Sequence, residues 1–226
     1  MAHFGELARD KNGLCVMKEL ILTASKGDTA KIAAIMAELQ RDMLGYAQHE
    51  FGNYVVQHAL KYFPSESCQQ IFECLAGNYP RLSMDKYSSN LIEFAIQKAD
   101  DALQAAIVQE LLAEQLLHKI VRSQFGNYVV QGSIENYLRS AELRMALIEA
   151  VIDCLGSVND FKVQEKWGHT LLRKYLAADA CSKLEMTEPL EKRRVAALEV
   201  LTTKMEQIGE NNVALSGAHS SGQRRR

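Results

Sequence analysis

Apolar side chains recur along this chain at three- and four-residue spacing. The stretches Ala30 to Gln40, Glu66 to Leu75, Leu103 to Leu112 and Ala141 to Leu155 each carry one apolar face, while strand-like alternation is absent and β-branched residues are few. That periodicity predicts amphipathic helices. Asp28 and Ser140 have the chemistry of helix starts, and Pro64 and Pro80 fall where connections are expected. Each of these helices leads through a short turn into a second helix. The second helix carries a repeated segment: Phe51-Gly-Asn-Tyr-Val-Val-Gln57 returns letter for letter as Phe125-Gly-Asn-Tyr-Val-Val-Gln131.

Three variants of the segment stand at related places: Asn12-Gly-Leu-Cys-Val-Met-Lys18, Tyr87-Ser-Ser-Asn-Leu-Ile-Glu93 and Trp167-Gly-His-Thr-Leu-Leu-Arg173. Their third residues, Leu14, Asn53, Ser89, Asn127 and His169, are 39, 36, 38 and 42 positions apart. A period between about 20 and 50 residues is the mark of a solenoid or array. The chain therefore reads as an all-α solenoid with units of about 9–45, 46–82, 83–119, 120–160 and 161–205. The last unit is the most divergent, as a terminal cap is expected to be. The first begins almost directly on its second helix, with Met1 to Arg9 ahead of it. Residues 206–226, ending in Arg224-Arg225-Arg226, have the composition of a flexible basic-ended tail.

Composition narrows the function classes. At 226 residues and 47% hydrophobic, with 3 prolines and 13 glycines, the chain has the makings of a packed core. No apolar run approaches the length of a membrane span, and the N-terminus lacks the pattern of a secretory signal. Five scattered cysteines without a C-x-x-C pair point to free thiols in a reducing compartment, not to disulfides or a zinc site. None of the six histidines lies in an H-E-x-x-H pattern, and neither a G-x-S-x-G serine nor a glycine-rich phosphate loop is present. The expectation is a non-enzyme with no metal and no cofactor. A net charge of −2 argues against binding nucleic acid through phosphates alone.

The repeated helix offers a different chemistry. At about 100° per residue, Asn53, Tyr54 and Gln57 share one arc, and Val55, Val56 and Ala59 share the opposite one. A solvated face is ordinarily built from Lys and Glu, which are good helix formers, whereas Asn is a poor one. Amides carry both donors and acceptors and match the acceptor, donor, acceptor edge of uracil. In the middle unit, Ser89 and Glu93 stand at those places, and a carboxylate accepts from the two adjacent donors of guanine. Tyr54 and Tyr128 are suited to stacking on bases.

On these motifs the chain resembles the Pumilio (PUF) repeat family, and the resemblance covers about residues 9–180. It implies a curved α-solenoid that binds single-stranded RNA, one base per repeat. It assigns edge contacts to Asn53, Gln57, Ser89, Glu93, Asn127 and Gln131, and stacking to Tyr54, Asn90 and Tyr128. Because family RNA runs antiparallel to the protein, these units would read 5′-UGU-3′. Leu14, Cys15 and Lys18, like His169, Thr170 and Arg173, depart from the family pattern. Cys15, Lys18, Lys86, Arg122, Lys166, His169 and Arg173 are candidate weaker contacts. The resemblance further implies post-transcriptional regulation of mRNA through 3′ untranslated regions, by translational repression or decay, with regulatory protein partners, in the cytoplasm. The alternatives are a helical-repeat scaffold for proteins, or a divergent PUF protein of ribosome biogenesis in the nucleolus.

Overall fold

The computed structural model describes residues 3–113, 116–155, 167, 172 and 187–221, with side chains to residue 207. All regular structure among the described residues is helical. The chain divides into two compact units, Met1–Arg139 and Ser140–Arg226.

The first unit is built from a three-helix motif. A short helix is followed by a longer one bearing the repeated segment, and then by a third helix. The motif runs α1 (Phe4–Ala8), α2 (Gly13–Ala24) and α3 (Thr29–Arg41), then α4 (Met43–Ala47), α5 (Gly52–Tyr62) and α6 (Ser65–Leu75), then α7 (Tyr79–Ser83), α8 (Ser88–Lys98) and α9 (Asp101–Leu112). A fourth round begins with α10 (Leu117–Arg122) and α11 (Gly126–Gly132), and α11 continues into a π-helical turn over Ser133–Tyr137. The expected two-helix unit is thus a three-helix one, because the short turns are themselves helices of five or six residues. The first round has its short helix too: α1 fills the stretch that appeared in the sequence to be a bare start. Pro80 lies in the first turn of α7, not in a connection. A proline there removes an N–H that would have no intrahelical partner.

The segment-bearing helices stack in chain order, α2 on α5, α5 on α8 and α8 on α11, while α3 packs on α6. What holds them is the aliphatic pair at the fifth and sixth places of three of the segments. Val55 and Val56, Leu91 and Ile92, and Val129 and Val130 are all fully buried, joined by Met17 and Ile21 of α2. Each such side chain contributes about 1.5–3 kcal/mol on leaving water. Local capping fixes where the third helices begin. Asp28 accepts from the Lys31 amide at 2.9 Å to start α3, and Asp100 accepts from the Leu103 amide at 2.8 Å to start α9.

In the second unit, α12 (Ala141–Leu155) packs on α13 (Glu188–Ser221). Ser140 Oγ accepts from the Leu143 amide at 3.3 Å, the helix start expected from its chemistry. Arg193 forms a two-pronged ion pair with Glu149, at 3.0 and 2.7 Å. The backbone of α13 is helical to Ser221, across most of the stretch that the composition assigns to a flexible tail. Extending a helix that is already nucleated fixes one residue per new hydrogen bond, which poor helix formers tolerate over a few turns.

Candidate nucleic-acid interface

Each segment-bearing helix of the first unit starts from the same kind of turn. Three residues before the helix, one side chain accepts hydrogen bonds from two successive backbone amides. Asp10 Oδ1 takes those of Asn12 and Gly13 at 2.9 and 2.7 Å. Asp85 Oδ1 takes those of Tyr87 and Ser88 at 3.0 and 2.9 Å, and Ser123 Oγ takes those of Phe125 and Gly126 at 3.3 and 3.1 Å. At the second repeat the acceptor is His49 Nδ1, with Phe51 and Gly52 at 3.2 and 3.3 Å. That nitrogen accepts only when unprotonated, so the hydrogen bonds assign the ring proton to Nε2. The turn is tight: a Cβ on Gly52 would stand 2.7 Å from the Tyr46 carbonyl. In the third repeat Ser88 occupies that place and donates its hydroxyl to the Leu82 carbonyl at 2.7 Å, turning the close approach into a bond.

This turn sets the rotation of the helix and therefore the depth of each candidate residue. At the fourth position of the segment, Tyr54 is 43% exposed and Tyr128 57% exposed, with Asn90 exposed between them and Cys15 exposed at the matching place in α2. At the seventh position, Gln57, Glu93 and Gln131 are half-buried, as is Lys18. At the third, Asn53, Ser89 and Asn127 are buried. The two Asn amides are engaged at home. Asn53 Nδ2 donates to the carbonyls of His49 and Glu50 at 2.8 and 2.9 Å, and Asn127 Nδ2 donates to that of Ser123 at 2.7 Å. Asn53 Oδ1 accepts from Gln57 Nε2 at 3.0 Å. The helical wheel puts Asn53 and Gln57 on one arc but gives no depth. The Gln is the outer member of a connected pair, and the Asn is recessed behind it.

The other candidates fall into place around this row. Lys18 Nζ lies 5.6 Å from the centre of the Tyr54 ring, a cation over the aromatic face of the next repeat. Lys86 is exposed and lies against its neighbour, with Nζ 4.9 Å from the Tyr87 ring centre. Arg122 is exposed at the end of α10. Glu93 accepts from the Tyr137 hydroxyl at 2.8 Å. Lys166, His169 and Arg173 lie outside the described residues. Among the described residues no group of His, Cys, Asp or Glu is assembled to hold a metal ion, and no helix is long and apolar enough to cross a membrane.

The sequence pattern places His49 in the turn before a repeated helix, as found, but gives no role to Asp10, Asp85, Ser123 or Tyr137. The acceptors do leave a signal, because Asp10, His49, Asp85 and Ser123 fall at one register of the repeat. Their side chains differ, however, and what they share is the ability to accept. Tyr137 leaves none, since its reach depends on the π-helical turn.

Stacked three-helix repeats presenting one exposed position and one half-buried polar position per unit define a helical-repeat protein with a regular polar face. The family model for the Pumilio-family RNA binding repeat matches residues 3–36, 43–76, 78–112 and 119–152, more than half of the chain. The chain belongs to that family. The first three matched spans begin within a residue of the short helices α1, α4 and α7, and the fourth begins inside α10. Pumilio homolog 12 of Arabidopsis thaliana is 32% identical over 151 residues, 67% of this chain and 24% of that protein. Pumilio homolog 9 of the same plant is 30% identical over 129 residues, 57% of this chain and 22% of that protein. The chain thus spans about a quarter of the length of these curated relatives. Among solved structures, the fold is similar to PUF-6 in complex with 5BE13 RNA, with a TM-score of 0.70, 18% identity, and coverage of 93% of this chain and 56% of that one. It is also similar to the RNA-binding domain of yeast Puf5p bound to AAT2 RNA, with a TM-score of 0.64, 15% identity, and coverage of 89% and 53%. The fold is accordingly the helical-repeat solenoid of PUF domains.

Proposed function

We propose that the first unit binds single-stranded RNA in a sequence-selective way, with α11, α8 and α5 reading a 5′-UGU-3′ core one base per repeat. The observation that carries this reading is the row of exposed fourth positions, Tyr54, Asn90 and Tyr128, on three successively packed helices, each beside a half-buried Gln, Glu or Gln. Exposed tyrosines at one register, two repeats apart, give bases a platform worth about 1–3 kcal/mol each. Glu93 offers guanine an acceptor-only edge. Gln57 offers uracil its outer amide, and Asn53 joins when its Oδ1 exchanges the Gln57 N–H for that of the base. Solved domains of similar fold are bound to RNA, several of them to a 3′ UTR recognition sequence, which supports RNA binding here.

Lys18, Lys86 and Arg122 add weaker contacts, and Cys15 lies at the stacking position of a repeat without the code. Regulation of mRNA through untranslated regions, by repression or decay and with protein partners in the cytoplasm, follows as the biological setting of such a reader. Three stacked bases supply about 3–9 kcal/mol gross, against about 4–15 kcal/mol for association. Binding by this chain alone is therefore expected at micromolar affinity or weaker. Fluorescence anisotropy with a short UGUA-containing RNA and an ACAA control tests the proposal. Selective binding of the first RNA is expected. Equal binding of both by the folded protein would favour a protein-binding scaffold, and a nanomolar complex would overturn the affinity argument.

A further inference from the structure

The two identical segments part company at the next residue, His58 after the first and Gly132 after the second. The glycine has a packing reason. A Cβ at Gly132 would come within 2.4 Å of Cε2 of the Tyr137 ring, so only a bare backbone lets that ring lie against α11. The π-helical turn over Ser133–Tyr137 then carries the ring toward the preceding repeat. π-Helical turns of this kind frequently mark functional places. The hydroxyl reaches Glu93 Oε2 at 2.8 Å. Counting ten residues on from Asn53, Ser89 and Asn127 gives Phe63, Ala99 and Tyr137, so the hydroxyl belongs to the fourth repeat alone and serves the one repeat that carries a carboxylate.

The segment holding the tyrosine is itself clamped. Gln104, fully buried, donates through Nε2 to the carbonyls of Tyr137 and Ile96 at 2.8 and 2.9 Å, and its Oε1 accepts from the Arg139 amide at 3.1 Å. The Arg139 guanidinium reaches the Ala99 carbonyl at 2.6 Å and Asp101 Oδ1 at 2.9 Å. We infer that Tyr137 is a positioning residue for base selection, holding the Glu93 carboxylate in the orientation that accepts both donors of a guanine edge. The inference rests on the reading of Glu93 as the guanine contact. A carboxylate has about four acceptor sites, so the Tyr137 bond leaves room for the two from guanine while removing the freedom of the side chain to turn away. Burial first, and the neighbouring carboxylate second, push the Tyr137 hydroxyl up to about 12, so it stays a donor at neutral pH.

The test is anisotropy with UGU- and UAU-containing RNAs on the wild type, Tyr137→Phe, Glu93→Gln and the double variant, with thermal unfolding alongside. Tyr137→Phe keeps the ring against Gly132, so it isolates the hydroxyl. The expected result is a loss of about fivefold in affinity for the UGU RNA, the size of one hydrogen bond, with UAU binding unchanged. In the Glu93→Gln background the same change should have no effect on discrimination. Wild-type discrimination preserved in Tyr137→Phe, or an equal loss for both RNAs, overturns the inference and leaves the guanine assignment standing. A wild type that does not separate the two RNAs overturns the guanine assignment and the inference together.

Discussion

Tyr54 and Tyr128 stay about half exposed although each is followed by two valines that are fully buried. One residue of helix turns the chain by about 100°, enough to pass from the stacked core to the open face. Because both residues stand at the surface, Tyr54→Ala and Tyr128→Ala should each weaken RNA binding by about 1–3 kcal/mol and lower the thermal midpoint far less than loss of a core side chain. Anisotropy paired with a melting curve checks both halves, and a large drop in the melting temperature would assign the rings to the core instead. Tyr137 behaves differently. Its hydroxyl is raised from 10.0 to about 12 by burial and by Glu93, so the folded protein keeps a proton that the unfolded chain releases. The stability this provides is whole below pH 10 and is lost as pH rises toward 12. Unfolding measured across that window should show a steeper alkaline loss in the wild type than in Tyr137→Phe; identical slopes would count against the part-buried contact with Glu93. The outward direction of Tyr54 was legible in the sequence, since a helical wheel gives direction. The recession of Asn53 was not, because depth depends on the turn that folds back to take its amide.

The element that decides this geometry is the turn between each short helix and the segment-bearing helix after it. Asp85 closes two bonds there, to the backbone amides of Tyr87 and Ser88 at 3.0 and 2.9 Å, and the Ser88 hydroxyl oxygen lies 3.0 Å from the same carboxylate. Asp85→Ala should cost about 0.5–2 kcal/mol, the usual range for a lost helix cap, while Asp85→Asn, which keeps an acceptor oxygen, should cost less. Urea denaturation gives both values, and an unchanged midpoint in Asp85→Ala would show that the turn is held by packing alone. The long helices were legible because ten or more residues display a full apolar stripe. The short ones were hidden, since helices of five or six residues carry too few turns for a period and are held by tertiary packing. Pro80 misleads for the same reason: a proline reads as a break, yet the first turn of a helix accepts it.

On the scale of the molecule, the repeat period alone led to the solenoid, because identical letters at 51–57 and 125–131 demand identical local environments. The low net charge of −2 fits a reader that works through base edges and stacking, with few phosphate contacts. The extent of α13 was not legible, because its later residues give no stripe to read. The central claim is that Ser89 and Glu93 select guanine while Asn53 with Gln57 and Asn127 with Gln131 select uracil. The most direct measurement is the double change Ser89→Asn plus Glu93→Gln, titrated against UGU- and UUU-containing RNAs by anisotropy. The account predicts that preference moves from UGU to UUU with the fold intact. Retained preference for UGU, or loss of all binding by a folded variant, would contradict it.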